Sequence, residues 1–418
     1  MRILMVCTEY PPMKGASGPY VANLTRTLRR DGMEVYVVCN ESGDGDFSGI
    51  SPTNKENSEI LLQIVDKIKP DIVHIQFEGA FYGLVLQAKG AIKSGTYIDA
   101  FYSKCNIPIV TTFFSAFSFS DWMEMYKIDT KSLIKKSGRI GELGIPARAL
   151  IIWLKFNIDN ISNYRSFTNI TKEKARMSQA NIVFSHHLSK ILNEPKAKVI
   201  HMASDIAISP KPNKKEARAK FSLPQDSQRI ALALGFAVVN KGWDIIDKMD
   251  IPSEWVVVTN SNNYPGDHYN IKKNVNFKLR EHGKIINLHR GFLSDEDLST
   301  LFYASDAVIL PYRMAAASAV MFNALGHGLP FVASDLEFFR EFSRQGLGIT
   351  VKRTPNGFDK GLKDLYKNYT KYAAAVDAFS YKLKWDYIAR QHISIYKSLA
   401  DKTSFSTNKA SATSIDYS

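Results

Sequence analysis

The stretch from Leu310 to Asp335, LPYRMAAASAVMFNALGHGLPFVASD, contains the residues best suited to chemistry. An apolar strand ends at Leu310, a loop of small residues follows, and a helix begins near Ala319. The unpaired N–H groups of a helix N-terminus attract anions, and small side chains let a diphosphate approach the backbone. The residues expected to hold the diphosphate are Ala316, Ala317, Ser318, Ala319 and Val320. This pattern predicts a nucleotide-binding enzyme.

A second candidate group is Lys241, in the segment VVNKGWDII between a strand and a helix that begins near Gly242. A flexible ammonium group near a helix N-terminus can neutralise the charge of a transferring phosphate. Gly235 and Gly242 frame the segment and leave the backbone open beside the lysine. The alternative interpretation is a solvated lysine in a surface turn.

A third candidate is the loop Glu9–Tyr20, which joins the first strand to the first helix and contains Gly15, Ser17 and Gly18. Its backbone could approach an acceptor or a diphosphate, because it should lie at the carboxyl ends of the strands. The glycines could instead serve only to form the turn. We predict that these three residues bind the acceptor.

The three motifs together resemble those of retaining GT-B glycosyltransferases, family 4 in particular. The segment GLPFVASD is similar to the end of that family's nucleotide-binding signature, and GFAVVNKGWDII resembles the motif that opens its second domain. The N-terminal segment from Met1 to Cys39 resembles its first strand, glycine loop and helix. The resemblance implies transfer of a sugar, with retention, from a nucleotide diphosphate donor to a glycan, lipid-linked or other cell-envelope acceptor. It implies no cofactor, because the nucleotide sugar is a substrate. It implies no metal either, because no aspartate pair of the D-x-D type occurs in a predicted donor loop.

The resemblance also implies residue roles. Lys241 would contact the donor diphosphate beside Gly235, and Asn323, at the position of the family's second glutamate, would face the ribose. Ala315 stands in place of the first glutamate, and Phe236 in place of an arginine. Because these charged groups are lost, the alternative is a catalytically impaired homologue that serves as a nucleotide-binding or scaffold subunit of a glycan-assembly complex.

The family's histidine near the reacting sugar is also absent, since Phe114 occupies its position. Two other polar residues, His74 and Glu78 in DIVHIQFEG, lie toward the carboxyl end of a predicted strand. We therefore predict that His74 and Glu78 act with Lys241 in catalysis. For His74 the alternative is a half-buried strand histidine without a chemical role.

Alternating strand and helix patterns predict an α/β protein with two Rossmann-like domains, a cleft between them and a C-terminal helix that returns to the first domain. The expected boundaries are 1–207 for the acceptor domain, 208–375 for the donor domain, 376–401 for the returning helix and 402–418 for a disordered tail. The returning helix is predicted over Ala374–Leu399, and Ser209–Asn213 is the expected linker.

Charge and composition limit the binding partners and the cellular location that we expect. With 418 residues, 45% of them hydrophobic, and a net charge of +13, the chain should attract anionic partners. No nucleic-acid-binding motif is evident, so nucleic acid is not expected. The basic stretch Tyr126–Lys155 could contact an anionic membrane, whereas Ile151 and Trp153 within it are expected to pack into the domain. The chain has only three cysteines, which fits a cytoplasmic protein. We expect a peripheral association with the inner face of the membrane.

Overall fold

The computed structural model describes residues 1–13, 15, 17–87, 90–125, 145–204, 210–225, 228–262 and 284–412. Within these residues the strands form two six-stranded sheets in which all pairings are parallel. The first sheet contains β1 Arg2–Val6, β2 Glu34–Val38, β3 Ile72–Phe77, β4 Ile109–Phe113, β5 Ala180–Val183 and β6 Ala197–Val199. The second contains β7 Arg229–Phe236, β8 Trp255–Asn262, β9 Ile285–Asn287, β10 Ala307–Leu310, β11 Phe331–Ser334 and β12 Gly348–Val351. The predicted α/β class is confirmed.

Each sheet reverses its strand order once, and this reversal locates the candidate sites. The first sheet has the order β2-β1-β3-β4-β5-β6, and the second has the order β12-β11-β10-β7-β8-β9. The reversals therefore fall between β1 and β3 and between β10 and β7. Crossover connections leave such a pair of strands toward opposite faces, so a crevice opens at their carboxyl ends. We call these crevices the first and second switch points.

Helices cover both faces of the sheets, as parallel sheets require. In the first domain they are α1 Gly18–Arg30, α2 Asn57–Ile68, α3 Asp99–Lys104, α4 Phe119–Met125, α5 Ile145–Met177 and α6 His186–Leu192. In the second domain they are α7 Lys214–Lys220, α8 Trp243–Ile246, α9 Asp295–Ala304, α10 Ala319–Gly326, α11 Glu337–Ser343, α12 Pro355–Lys367 and α13 Tyr369–Ser380. Across the described ranges, no helix is both long enough and apolar enough to cross a membrane.

The C-terminal helix returns to the first domain, as the sequence predicted, but its limits differ. Instead of one helix over Ala374–Leu399, the chain forms α13, a short 3-10 helix Tyr381–Leu383, and α14 Trp385–Ala412. The rings of Tyr20 in α1 and Trp385 in α14 lie 5.5 Å apart, so the return is made by aromatic packing. The helical backbone continues to Ala412, where a disordered tail was predicted from residue 402, and residues 413–418 lie outside the described ranges.

Apolar packing joins the two domains. One buried cluster includes Ile3 and Val21 of the first domain, Leu232 of the second, and Tyr396 of α14. Two further clusters fill the other face of each sheet. The predicted domain boundaries stay predictions, because residues 205–209, which include the start of the expected linker, lie outside the described ranges.

Candidate active site

The second switch point is closed on one side by tight contact between the loops after β7 and β10. Gly242, directly after the 3-10 helix Val239–Lys241, has a φ of +69°. A Cβ atom added there would lie 1.9 Å from the carbonyl oxygen of Pro311. Only glycine combines this backbone conformation with so close an approach. The two loops therefore have a fixed spacing.

Lys241 is held at this switch point rather than projecting freely from a surface turn. Its Nζ lies 3.7 Å from the centre of the Tyr312 ring, which is a cation–π distance. Its aliphatic stem runs beside Gly235, whose φ is +141°. Arg313 donates from its backbone amide to the Asn240 carbonyl over 2.8 Å, which secures the same turn. An ammonium group thus stands where the carboxyl ends of β7 and β10 meet.

The helix expected to face the diphosphate begins as predicted. Ser318 is the N-cap of α10, and its hydroxyl accepts a hydrogen bond of 3.2 Å from the Met321 amide. The next two amides, those of Ala319 and Val320, are the first of the helix and have no acceptor within it. Ser318 therefore serves the helix through its side chain, and a phosphate would bind to the backbone amides.

Two residues of this loop and helix are buried in ways that the sequence did not predict. Ala316 is buried in an apolar cluster of the first domain, which also contains Phe81 and Ala116 from the segments after β3 and β4. It joins the two switch points by packing. Asn323 is buried in α10, and its carbonyl accepts from the backbone amide and the Nδ1 of His327 at 3.0 and 2.7 Å. Its contact with a ribose stays a prediction, as does the role of Ala317.

A pocket of about 400 Å³ adjoins the second switch point, and sequence reasoning did not predict it. It is lined by Ser261, Asn262, His289, Gly291 and Phe292. The Phe236 ring, at a position where the family has an arginine, lies 5.9 Å from that of Phe292. The Oδ1 atoms of Asn240 and Asn262 and the Oη of Tyr312 are buried, without hydrogen-bond partners in the described part of the chain. All three residues lie at the carboxyl end of a strand or within four residues after it.

The first switch point has an unexpected occupant. Glu9, three residues after β1, is 1% exposed, and its Oε2 accepts from the Ser17 amide at 2.9 Å and from the Ser17 hydroxyl at 2.7 Å. A Cβ atom at Gly15 would lie 2.4 Å from the Glu9 carboxyl carbon. The anion at the N-terminus of α1 is therefore the protein's own carboxylate.

This finding weighs against acceptor binding by Ser17 and Gly18, whereas acceptor binding by Gly15 stays a prediction. The polar groups of Ser17 are engaged by Glu9, and both Ser17 and Gly18 are buried. Gly15 is small because Glu9 fills the space beside it. The described residues of the loop pack around Glu9, which agrees with the alternative interpretation of its glycines. Sequence reasoning missed Glu9 because nothing local distinguishes it from a solvated loop carboxylate.

Glu78 lies where the sequence predicted, at the carboxyl end of β3 and beside the first switch point. Its carboxylate accepts hydrogen bonds from the Ser115 hydroxyl and from the amides of Gly79 and Ala80. Burial nevertheless raises the pKa of Glu78, the negative charge of Glu9 adds a smaller rise, and the net pKa is about 7. The residue as a whole is partly buried. A carboxyl group with this pKa can exchange a proton near neutral pH.

His74 is not a substrate-facing residue, which corrects its predicted catalytic role. It is fully buried beneath α14, where Nδ1 lies 2.7 Å from the Tyr396 hydroxyl and Nε2 lies 2.8 Å from the Thr112 hydroxyl. Burial lowers its pKa well below the usual range, and the nearby His392 lowers it further. His74 joins β3 and β4 to the returning helix. Phe114 is likewise structural, with its ring 5.2 Å from that of Phe184.

Two polar contacts set the position of one domain against the other. Glu341 of α11 accepts from the backbone amides of His186 and His187 at 2.9 and 2.8 Å, so the second domain supplies an anion to the N-terminus of α6. Arg353 pairs with Glu124 of α4 at 2.6 Å and also donates to the Arg313 carbonyl at 2.7 Å. Through Arg353, the loop after β10 is therefore linked to Glu124 of the first domain.

Comparisons with known proteins place this architecture. No protein-family model matches the chain, and no curated protein does. The sucrose-phosphate synthase of Thermosynechococcus elongatus shares 14% identity over 96% of this chain and 99% of that chain, with a TM-score of 0.63. HepE of Anabaena, in complex with UDP, shares 13% identity over 95% and 100% of the two chains, with a TM-score of 0.60. A putative UDP-N-acetylglucosamine 2-epimerase from Listeria monocytogenes shares 12% identity over 96% and 97%, with a TM-score of 0.52.

At these identities the likeness establishes the fold. It is the GT-B fold, in which two Rossmann-like domains face each other through the carboxyl ends of their strands. The predicted fold class, including the helix that returns to the first domain, is confirmed. The activity is a separate question, because the structures that share this fold include both a synthase and a putative epimerase.

Proposed function

We propose that the chain is a glycosyltransferase that moves a sugar from a nucleotide diphosphate donor to a glycan, lipid-linked or other cell-envelope acceptor, with retention of configuration. The observation that carries the proposal is the second switch point, where the Lys241 ammonium lies over Tyr312 of the loop that leads into α10. A neighbouring pocket is reached through the contact between the rings of Phe236 and Phe292. These groups match a diphosphate joined to a nucleoside. The cytoplasmic location expected from the cysteine count belongs to the same proposal.

The donor would lie across the second domain. The diphosphate would accept hydrogen bonds from the amides of Ala319 and Val320, and Lys241 would neutralise the charge that develops as the bond to the sugar breaks. The pocket beside Phe292 has the volume and the polar atoms for the nucleoside, with Asn262 as a hydrogen-bonding group. Asn323 would contact the ribose.

The acceptor would lie at the first switch point, opposite the donor. Glu78 would orient its hydroxyl group, since its carboxylate lies at the carboxyl end of β3, beside the first switch point. Packing of Ala316 against the first domain supports this arrangement, because it brings the donor loop to the strand ends that carry Glu78 and Ser115. The leaving diphosphate would guide the acceptor to the same face of the sugar.

A second candidate function has its own observations in favour. Ala315, Phe236 and Phe114 stand at positions that are usually charged or histidine in the resembled family. Phe236 and Phe114 pack against other aromatic rings and contribute no charge to the site. A homologue that binds nucleotide without turnover, as a scaffold subunit of a glycan-assembly complex, would have these features.

Nucleotide binding to Lys241 variants tests the donor site. A charged hydrogen bond to phosphate contributes about 1.5–3 kcal/mol, so Lys241→Ala should weaken binding of nucleoside diphosphates by roughly 10- to 150-fold in calorimetry. Lys248→Ala, at an exposed lysine of the same domain, is the matched control and should leave the affinity unchanged. Equal affinities for the two variants would remove Lys241 from the site.

Product analysis distinguishes the candidate functions. Purified protein should convert a nucleotide sugar to nucleoside diphosphate, by transfer or by slow hydrolysis, with the released sugar in the donor's anomeric configuration. Binding without turnover of any common nucleotide sugar would favour the scaffold function. Conversion of the donor into a stereoisomeric nucleotide sugar, without release of nucleoside diphosphate, would indicate an epimerase instead.

We also propose that α5 contacts an anionic membrane surface. The sequence favoured packing of Ile151 and Trp153 into the domain, yet they are 63% and 41% exposed. Three more apolar side chains of this helix are exposed, namely Leu150, Leu154 and Ile158. Lys155 is exposed among them, and an apolar surface flanked by cations fits the interface of an acidic bilayer. The basic residues predicted to take part at positions 126–144 lie outside the described ranges.

Vesicle flotation tests this surface. The protein should float with vesicles that contain anionic lipid, less with neutral vesicles, and less again as salt rises. Ile151→Asp should reduce flotation, because it places a negative charge among the exposed apolar side chains. Asn169→Asp introduces the same charge at another exposed position of α5 and serves as the control. Indifference to lipid charge and salt would contradict the proposal.

A further inference from the structure

Arg353 contacts both domains through a single guanidinium group. It lies two residues after β12, and Glu124 belongs to α4, the helix that follows β4. Its Nη2 pairs with the Glu124 carboxylate at 2.6 Å, and its Nη1 donates to the Arg313 carbonyl at 2.7 Å. A guanidinium group is planar and rigid, so it cannot follow two partners that move apart. One helix of the first domain and one loop of the second are therefore held at a set spacing.

The loop after β10 also grips the turn that carries Lys241. The Arg313 amide donates to the Asn240 carbonyl at 2.8 Å, and the Arg313 Nε donates to the Val239 carbonyl at 3.1 Å. Nη2 of the same side chain donates to both carboxylate oxygens of Asp244, at 2.9 and 2.8 Å. Arg313 is thus bonded to the chain on both sides of Lys241. The turn cannot move relative to Arg313 unless several of these bonds break.

The residue before Arg313 completes the connection to the lysine. The Tyr312 ring lies under the Lys241 ammonium, with 3.7 Å between the ring centre and Nζ. Tyr312 and Arg313 both belong to the loop between β10 and α10. A displacement of the Arg313 carbonyl would therefore move the ring and the lysine with it. Direct contacts lead in this way from Glu124 of the first domain to Lys241 of the second.

We propose that Arg353 is a positioning residue that couples the first domain to the donor site, because it holds Glu124 and the Arg313 carbonyl at the same time. The inference rests on the proposed transferase function and adds to it. Lys241 takes its place over Tyr312 when α4 is engaged, so a domain that does not itself hold the donor controls how firmly the donor is held. Coupling requires an element whose position both sites bias, and here that element is the loop after β10.

A second contact between the domains provides a matched control. Glu341 of α11 accepts from the backbone amides of His186 and His187 in α6. These groups lie on two helices and not on the loop after β10. An effect that depends on Arg353 should be absent when the Glu341 contact is weakened. General loosening of the domain interface should instead appear in both cases.

The position of Lys241 can be followed by NMR without any nucleotide. A ring at this distance shifts the ε-CH2 protons of the lysine upfield. The whole protein is labelled with ¹³C-lysine, and the Lys241 signal is assigned by its loss in Lys241→Arg. Glu124→Gln removes the charge of the carboxylate with little change in size, and it should move the signal toward that of a solvated lysine. Glu341→Gln should leave the signal in place.

Nucleotide affinity then connects the position of the lysine to donor binding. Calorimetry with UDP, ADP and GDP as probes gives the dissociation constants. Coupling between two sites typically changes an affinity by about 5- to 150-fold, and the side chains of Arg353 and Glu124 are 28% and 33% exposed, which favours the lower end. Glu124→Gln should therefore weaken binding about fivefold. Arg353→Gln should weaken it at least as much, and the double variant should bind no more weakly than Arg353→Gln alone.

The outcomes separate this inference from the proposed function. If Glu124→Gln changes neither the Lys241 signal nor the affinity, the coupling is refuted and the donor site is unaffected. If Glu341→Gln moves the signal equally, loosening of the interface explains the result and the role of Arg353 is refuted.

Two mixed outcomes are also decisive. If the signal moves as expected while the wild-type protein binds none of the three nucleotides, the positioning stands and the proposed donor site fails. If the signal moves while the affinity does not, the position of Lys241 does not control donor binding, and the inference is overturned. Should Arg353→Gln fail to fold, Glu124→Gln, at a partly exposed position, still decides the matter.

Discussion

Replacing Gly242 with alanine should disturb the second switch point more than an ordinary glycine substitution does. The residue has a φ of +69°, and its added Cβ would lie 1.9 Å from the Pro311 carbonyl oxygen. Such a distance is far inside van der Waals contact, so the loop after β10 has to move. Because Tyr312 follows Pro311 and lies under Lys241, the ammonium group would be displaced as well.

The expected magnitude has two parts. Placing an alanine in the left-handed region costs roughly 1–2 kcal/mol. Forcing extra volume into a packed site costs roughly a further 1–3 kcal/mol. The free energy of unfolding should therefore fall by about 2–5 kcal/mol. Gly32→Ala provides the control, because Gly32 has a φ of +85° with nothing within 4 Å of an added Cβ, and it should show only the first part.

Urea denaturation followed by tryptophan fluorescence measures the free energy of unfolding of both variants, since Trp243 and Trp255 are buried in the second domain. Affinity for nucleoside diphosphates is measured on the same samples. Gly242→Ala should be less stable than Gly32→Ala by about 1–3 kcal/mol, which is roughly a 5- to 140-fold difference in the folding equilibrium constant. Only Gly242→Ala should lose nucleotide affinity. Equal losses of stability, with affinity intact in both, would show that the contact with Pro311 does not hold the loops.

Two further predictions concern buried ionisable side chains. Asp306 accepts hydrogen bonds from Arg218 and from the Ile230 amide, both at 2.8 Å. Asp306→Asn should therefore lower the free energy of unfolding, measured in urea, by about 3–5 kcal/mol. The control Asp364→Asn, at an exposed position, should leave it unchanged. Burial lowers the pKa of His392 to about 4. Between about pH 6.5 and pH 4 the unfolded chain therefore binds a proton at this histidine that the folded chain does not. As a result, the free energy of unfolding falls as the pH falls through this range. His392→Gln should flatten this dependence by up to about one proton in denaturation at stepped pH, and an unchanged slope would contradict the assignment.

The sequence predicted those parts of the site that depend on short segments. The strand, small-residue loop and helix from Ala307 to Gly326 follow from local apolar patterning. Ser318 is the N-cap of α10, which agrees with a helix that begins near Ala319. Lys241 could be located because it stands between Gly235 and Gly242, in the segment that joins a strand to a helix. The position of Glu78 at a strand end is likewise a local property.

The tertiary structure decided which neighbours these residues have. His74 and Tyr396 form a hydrogen bond although 322 positions separate them, and no periodicity in a strand buried on both faces shows which face the last helix covers. Glu9 reads as an ordinary loop carboxylate until the chain turns back and places Ser17 against it. Ile151 looks like a core residue in sequence, yet folding leaves it exposed. Local patterns determine the elements and their ends, whereas long-range packing determines which polar and apolar groups are enclosed and which meet solvent.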